Sequence, residues 1–228
     1  MANVLKKKIN VKQSNELTEA AYHLSLKAKR VLWLCLMQTY FTDEEESANP
    51  IFTVAVADYE DIFNVSRNQA SRDVKEGVFE LSRSAIIFYP KTGRHDVIAR
   101  PWLTEAGGRS SKGLWEIEFN HKVLPYLYVL GSQFTTYSLR DCGSLKNPRT
   151  VRLYESLCQF RSSQIWVTSH DWLSERFMLP ESQKSNLAEL KRTFLEPALR
   201  QINDKTPLRV SYQADSNGKL IFNIYPKQ

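Results

Sequence analysis

At 228 residues the chain exceeds a typical single domain, so one large domain and two of about 110 residues are both open. Hydrophobic residues at 42% and charged residues at 25% are those of an ordinary globular protein, which excludes a disordered chain, a collagen-like chain and a coiled-coil rod. The net charge of +6 is the one unusual feature; it suggests a polyanionic partner, although many proteins that touch no nucleic acid share it.

In chain order, residues 14–20 open with a Ser/Asn cap and early glutamate, as a helix start should. Leu26–Thr39, with apolar residues at Val31, Leu32, Leu34, Cys35 and Leu36 and no breaker, reads as a buried helix. The acidic block Asp43, Glu44, Glu45, Glu46 reads as a solvated loop. Phe52–Val56 alternates as a strand, and Ala57–Phe63 forms a short helix with Tyr59, Ile62 and Phe63 inward. Ser66 caps a helix over 67–83 with Val74, Val78, Phe79 and Leu81 facing a core. Ala85–Tyr89 and Val97–Leu103 read as strands around a turn at Pro90–Arg94, followed by a strand at Leu114–Phe119 and a short helix at His121–Tyr128.

Arg140–Arg149, with Gly143, Ser144, Asn147 and Pro148, is the best linker candidate. Beyond it come a helix at Val151–Phe160, a strand at Ile165–Val167 and a helix to Phe177 capped by Thr168 or Ser169. After a turn at Leu179–Ser182, a long helix spans 183–203, and a hairpin of Leu208–Tyr212 and Leu220–Tyr225 turns at Asp215-Ser216-Asn217-Gly218. Helix, strand, helix, turn, long helix, hairpin thus occurs twice. This is the order of a winged helix-turn-helix, and it predicts an α+β fold of two tandem winged-helix domains, 1–137 and 138–228, related by a rough pseudo-two-fold.

The positive charge is uneven: residues 1–130 carry 17 Lys and Arg against 16 Asp and Glu, whereas 131–228 carry 14 against 9. The second domain is therefore the expected main DNA reader. On its long helix, Leu187, Leu190, Phe194 and Leu195 fall at buried spacing, leaving Gln183, Lys184, Ser185, Asn186, Lys191 and Arg192 outward. Amides suit adenine, Arg and Lys suit guanine, and Arg209 and Lys219 on the hairpin suit flanking phosphates. In the first domain the matching helix carries Arg67, Asn68, Gln69, Arg72 and Lys75, with Lys91 and Arg94 at the hairpin. Asp73, Glu76 and Glu80 dilute that field, so weaker contact, chiefly to phosphate, or a protein-contact role is expected there. Two linked heads can span successive major grooves about 10 base pairs apart.

Other function classes find little support. The longest apolar run, Val31–Met37, is far short of the roughly 20 residues a membrane span needs, and the basic start Lys6–Lys8 precedes no signal-like apolar stretch. Cys35, Cys142 and Cys158 are an odd set without CxxC spacing, which argues for a reducing cytosol and against disulfide or zinc scaffolds. The four histidines form no metal-binding pair, and Gly108–Gly113 opens like a phosphate loop but has Leu114 where lysine is needed, so it reads as a flexible loop. No catalytic residue, metal or cofactor is expected.

Three stretches resemble the iteron-type plasmid replication initiators, the Rep family. Val11–Leu34, with its SN-x-L and LS-x-x-x-KR pattern, is similar to the family's opening signature. Phe134–Tyr137 followed by Leu145-Lys146 and Arg152–Glu155 resembles its junction into the second winged helix, and Leu190–Asn203 its second recognition helix. Pro197 inside that helix should kink it or end its DNA-facing part.

The resemblance implies a plasmid-associated protein of the bacterial cytoplasm that binds directly repeated iterons in double-stranded origin DNA as a monomer. It implies opening of adjacent AT-rich DNA and recruitment of the host initiator and replicative helicase. Many members also form a homodimer through the first winged helix and repress their own gene at an inverted repeat. The alternative is a winged-helix transcriptional repressor without initiation activity.

Overall fold

The computed structural model describes residues 10–39, 50–128 and 133–227. Lys6–Lys8 and the acidic block Asp43–Glu46 lie outside the described residues. Packing divides the chain into two units, Met1–Ala20 with Leu24–Leu139, and Ala21–His23 with Arg140–Gln228.

The first unit begins with β1 (Asn10–Ser14) and the short α1 (Asn15–Glu19), whose start is capped by the Ser14 hydroxyl accepting from the Leu17 amide at 3.0 Å. Next comes α2 (Leu26–Thr39), which no Gly or Pro interrupts and which buries Val31 through Met37 on all sides, as a central helix must. After β2 (Ile51–Ala55) and α3 (Val56–Phe63), the chain turns at Asn64 in the left-handed region (φ 49°). Ser66 then caps α4 (Arg67–Arg83). A hairpin of β3 (Ala85–Phe88) and β4 (Ile98–Pro101) precedes a second hairpin, β5 (Leu103–Arg109) and β6 (Leu114–Phe119), which β2 joins in the order β2-β6-β5. Finally α5 (Leu124–Tyr128) leads to β7 (Phe134–Ser138), antiparallel to β1.

Helices α2 and α4 come close at Gly77, where a Cβ would stand 2.8 Å from the Lys27 carbonyl oxygen. That neighbour is backbone and cannot swing aside. Gly77→Ala is therefore expected to destabilise the protein by about 2 kcal/mol. The change should appear as a lower urea midpoint with an unaltered slope.

The second unit follows α6 (Leu139–Gly143) with α7 (Pro148–Gln159), whose first amides bond the Asn147 side chain and whose first residue is proline. It continues through β8 (Ile165–Ser169), α8 (His170–Arg176), the single-turn α9 (Glu181–Lys184) and α10 (Leu187–Leu190). From α10 a π-helical turn (Lys191–Leu195) runs directly into α11 (Glu196–Lys205). The hairpin of β9 (Leu208–Ala214) and β10 (Lys219–Pro226) adds to β8 in the order β8-β10-β9. Its inner face stacks Trp166, Phe222 and Tyr212 across the three strands.

The two units repeat one plan down to single hydrogen bonds. Each sheet places the last hairpin strand in the centre, antiparallel to the strand before the helix pair. Gly113 (φ 62°) and Gly218 (φ 77°) close the two hairpin turns. Each accepts from the first amide of the first helix of the pair in its own unit: Val56 N–H to Gly113 O at 2.9 Å, His170 N–H to Gly218 O at 2.8 Å. The turns between paired helices match too. Asn64 and Met178 both have left-handed φ, and the next amides, Val65 and Leu179, reach back to Glu60 and Ser174. The architecture is two winged helices in tandem.

Several expectations change. The wing of the first unit is β5–β6, so Lys91 and Arg94 stand on the exposed turn of the inserted β3–β4 hairpin instead. Gly108 and Arg109, expected in a flexible loop, belong to β5, and Gly108 leaves room for the Trp115 indole, 3.1 Å from where its Cβ would be. Phe79, expected inside, is 41% exposed and meets Trp115 edge-on. The linker candidate is folded: Cys142 and Leu145 are fully buried, and Asn147-Pro148 starts α7. The helix expected at 121–128 covers only Leu124–Tyr128.

The long helix expected over 183–203 is broken at Ser185-Asn186 and continues past Pro197. Proline has no amide hydrogen and crowds the carbonyl four residues earlier. The π turn just before it widens the spacing, with Glu196 N–H bonding the Lys191 carbonyl, so the helix proceeds without ending there.

Candidate nucleic-acid interface

In the second unit, Asn186 caps α10, its side-chain oxygen accepting from the Glu189 amide at 3.1 Å. Lys184 and Ser185 are exposed just before this cap, the Ser185 hydroxyl donating to the Glu181 carbonyl at 2.8 Å. Arg192 is exposed on the π turn and grips the Glu189 carboxylate with two nitrogens, at 2.7 and 3.3 Å from one oxygen and 3.0 Å from the other. Lys191 beside it is half-buried. On the wing, Arg209 is exposed opposite Tyr225, and Lys219 is exposed at the start of β10. The Asp215 carboxylate fixes the turn by accepting from the amides of Asn217 (2.9 Å) and Lys219 (2.8 Å).

Gln183 is the correction. It is only 9% exposed, its amide nitrogen donating to the Thr193 hydroxyl at 2.9 Å, because the break at Ser185-Asn186 sets α9 at a different angular phase from α10. Leu187, expected inside, is half-buried, while Leu190, Phe194 and Leu195 are buried. Sequence reasoning also passed over Glu189 and the exposed Thr193, whose hydroxyl donates to the Glu189 carbonyl at 2.6 Å. The signal was present: Asn186 with Glu189 three residues on is a capping pattern, which places the helix start at Leu187.

In the first unit, Arg67, Asn68, Arg72 and Lys75 are exposed on α4. Gln69 is half-buried and donates to Asp73 at 2.5 Å while accepting from Arg72 at 2.6 Å. Arg67 lies 3.4 Å from Glu60 and against the wing turn, 2.9 Å from where a Gly113 Cβ would stand. Two wing cations that sequence reasoning had placed in a loop, Arg109 and Lys112, join this surface, and Arg109 is 3.6 Å from Glu116. Carboxylates therefore occupy Arg67 and Arg109 in the first unit and Arg192 in the second.

Burial pushes the Cys158 thiol up to about 12 and raises that of Cys35, so neither is a nucleophile at neutral pH. Among the described residues, no group of His, Cys, Asp and Glu can hold a metal, and no helix is long and apolar enough to cross a membrane.

Comparison with known families supplies the deciding observation. A model of "Initiator Replication protein, WH1" matches residues 10–158, and one of "Initiator Rep protein, WH2" matches residues 169–224. The chain belongs to the Rep replication-initiator family. This chain is 70% identical over its whole length to an uncharacterized 27.6 kDa protein of Escherichia coli, covering 99% of that relative. A probable replication protein of Bifidobacterium longum is 28% identical over 98 residues, 43% of this chain and 33% of the relative. The fold matches that of the Pi initiator protein, solved in complex with iteron DNA, with a TM-score of 0.78 over 97% of this chain and 99% of that one at 20% identity.

Proposed function

We propose that this Rep-family protein is a sequence-specific binder of double-stranded DNA that initiates plasmid replication at directly repeated origin sites. The observation that carries the reading is the match of both halves to replication-initiator models, each on a helix pair with a cationic helix and wing. Arg192, Lys191, Lys184, Ser185 and Asn186 would meet base edges, and Arg209 and Lys219 flanking phosphates; the first unit adds Arg67, Asn68, Gln69, Arg72 and Lys75 as the weaker head. Opening of AT-rich DNA, recruitment of the host initiator and helicase, and dimeric autorepression at an inverted repeat belong to the same proposal. So does residence in the bacterial cytoplasm with the plasmid.

Footprinting across the DNA flanking the gene tests it. Protection of spaced direct repeats, each about two helical turns long, is the expected result. Protection confined to one inverted repeat would instead make the chain a repressor. Salt must be held constant, because each phosphate contact changes the slope of log affinity against log salt by about one.

A further inference from the structure

We infer that His170 and Gln183 form a clamp that fixes the wing of the second unit to its DNA-facing helix, setting the spacing between Lys219 and Arg192. The inference rests on the DNA-binding reading above. It follows one chain of hydrogen bonds. The His170 amide donates to the Gly218 carbonyl at 2.8 Å, beside Lys219 at the wing tip. The His170 ring nitrogen Nε2 stands 2.6 Å from the Gln183 carbonyl; a carbonyl only accepts, so Nε2 carries the proton. The buried Gln183 amide then donates to the Thr193 hydroxyl at 2.9 Å, next to Arg192.

The break after α9 is what makes the clamp necessary. A helix that ends leaves its last carbonyls without partners, and His170 supplies one for Gln183. Gly218 is needed as well: its φ of 77° suits glycine, and a Cβ would press to 3.3 Å from the His170 Cβ.

The first unit lacks this device. The position equivalent to His170 is Val56, which has no side-chain donor, and the equivalent of Gln183 is Gln69, which bonds Asp73 one turn along its own unbroken helix. There the wing is joined to the helix pair by the backbone bond from Val56 to Gly113 alone of these links. The clamp is therefore a property of the head read as the main one. His170 and Gln183 are positioning residues, and neither needs to touch DNA.

Binding to a direct-repeat duplex is titrated at fixed salt, wild type first. If the wild type forms no specific complex, the DNA-binding reading fails, and the clamp is then judged by amide exchange alone. His170→Ala is expected to weaken specific binding about tenfold and to speed exchange of the His170 and Lys219 amides. His170→Gln, whose side-chain amide can reach the Gln183 carbonyl, should restore most of both. Gln183→Met keeps the buried volume and removes the amide, so it should weaken binding in the same direction, and it carries the test if His170→Ala does not fold. Lys219→Ala should cost clearly less in the His170→Ala background than alone, because an unfixed wing has already lost its contact. Wild-type affinity and exchange in His170→Ala would overturn the inference, as would a His170→Gln no better than His170→Ala.

Discussion

Arg192→Ala is expected to lower affinity for the specific site by roughly ten- to a hundredfold, the range of one bidentate base contact. Arg67→Ala and Arg72→Ala should each cost much less. The contrast follows from placement. Arg192 stands exposed on the π turn, and Glu189 holds its planar guanidinium in one orientation. Arg67 is packed between Glu60 and the wing turn, and Arg72 bonds back to Gln69 on its own helix.

Glu189 sharpens the test. In the free protein its carboxylate offsets the charge of Arg192, so non-specific attraction to phosphate is muted while the fork stays oriented for a guanine edge. Glu189→Ala should therefore tighten non-specific binding and narrow the gap between specific and non-specific sites. Lys184→Ala should weaken specific binding next most after Arg192→Ala. Titrations at one salt concentration decide the matter: equal losses on removing Arg192 and Arg67 would show that the second unit is not the main reader.

Much of this arrangement was legible in the residues, and what was not has physical causes. Helix α2 has an unbroken apolar run from Val31 to Met37, α4 opens on a serine cap, and Asp215–Gly218 is a strong turn, so these elements stand where their side chains dictate. The first wing was hidden because β5 contains Gly107 and Gly108, poor strand formers, of which Gly108 leaves the room that Trp115 fills. The Arg140–Arg149 stretch begins where the two units divide but is folded, because Asn and Pro signal a helix start as well as a turn; at Asn147-Pro148 they are a cap and a first residue. Gln183 was misplaced because a single periodicity was carried through a helix that breaks at Asn186 and then passes through a π turn. Periodicity assumes one continuous phase, and here the phase is reset twice within ten residues of the candidate site.

Arg152→Ala is expected to give the largest loss of stability among the changes considered, about 3–5 kcal/mol. Arg152 is 5% exposed, and its guanidinium lies 3.8 Å from the centre of the Tyr22 ring and 5.1 Å from that of Phe177. One nitrogen donates to the Tyr22 carbonyl at 2.6 Å and to the Arg176 carbonyl at 3.2 Å. These bonds tie Ala21–His23, more than a hundred residues away in sequence, to α7 and the end of α8, and they account for that short segment packing with the second unit. Alanine would open a cavity under two aromatic rings and leave both carbonyls without this donor. Arg152→Lys keeps the charge but cannot spread a planar group over Tyr22 while reaching both carbonyls, so it should recover less than half of the loss. Urea unfolding gives the magnitude, and faster amide exchange at Ala21–His23 locates it. A wild-type midpoint in Arg152→Ala would mean that the segment is held by its own packing and that the arginine contributes little.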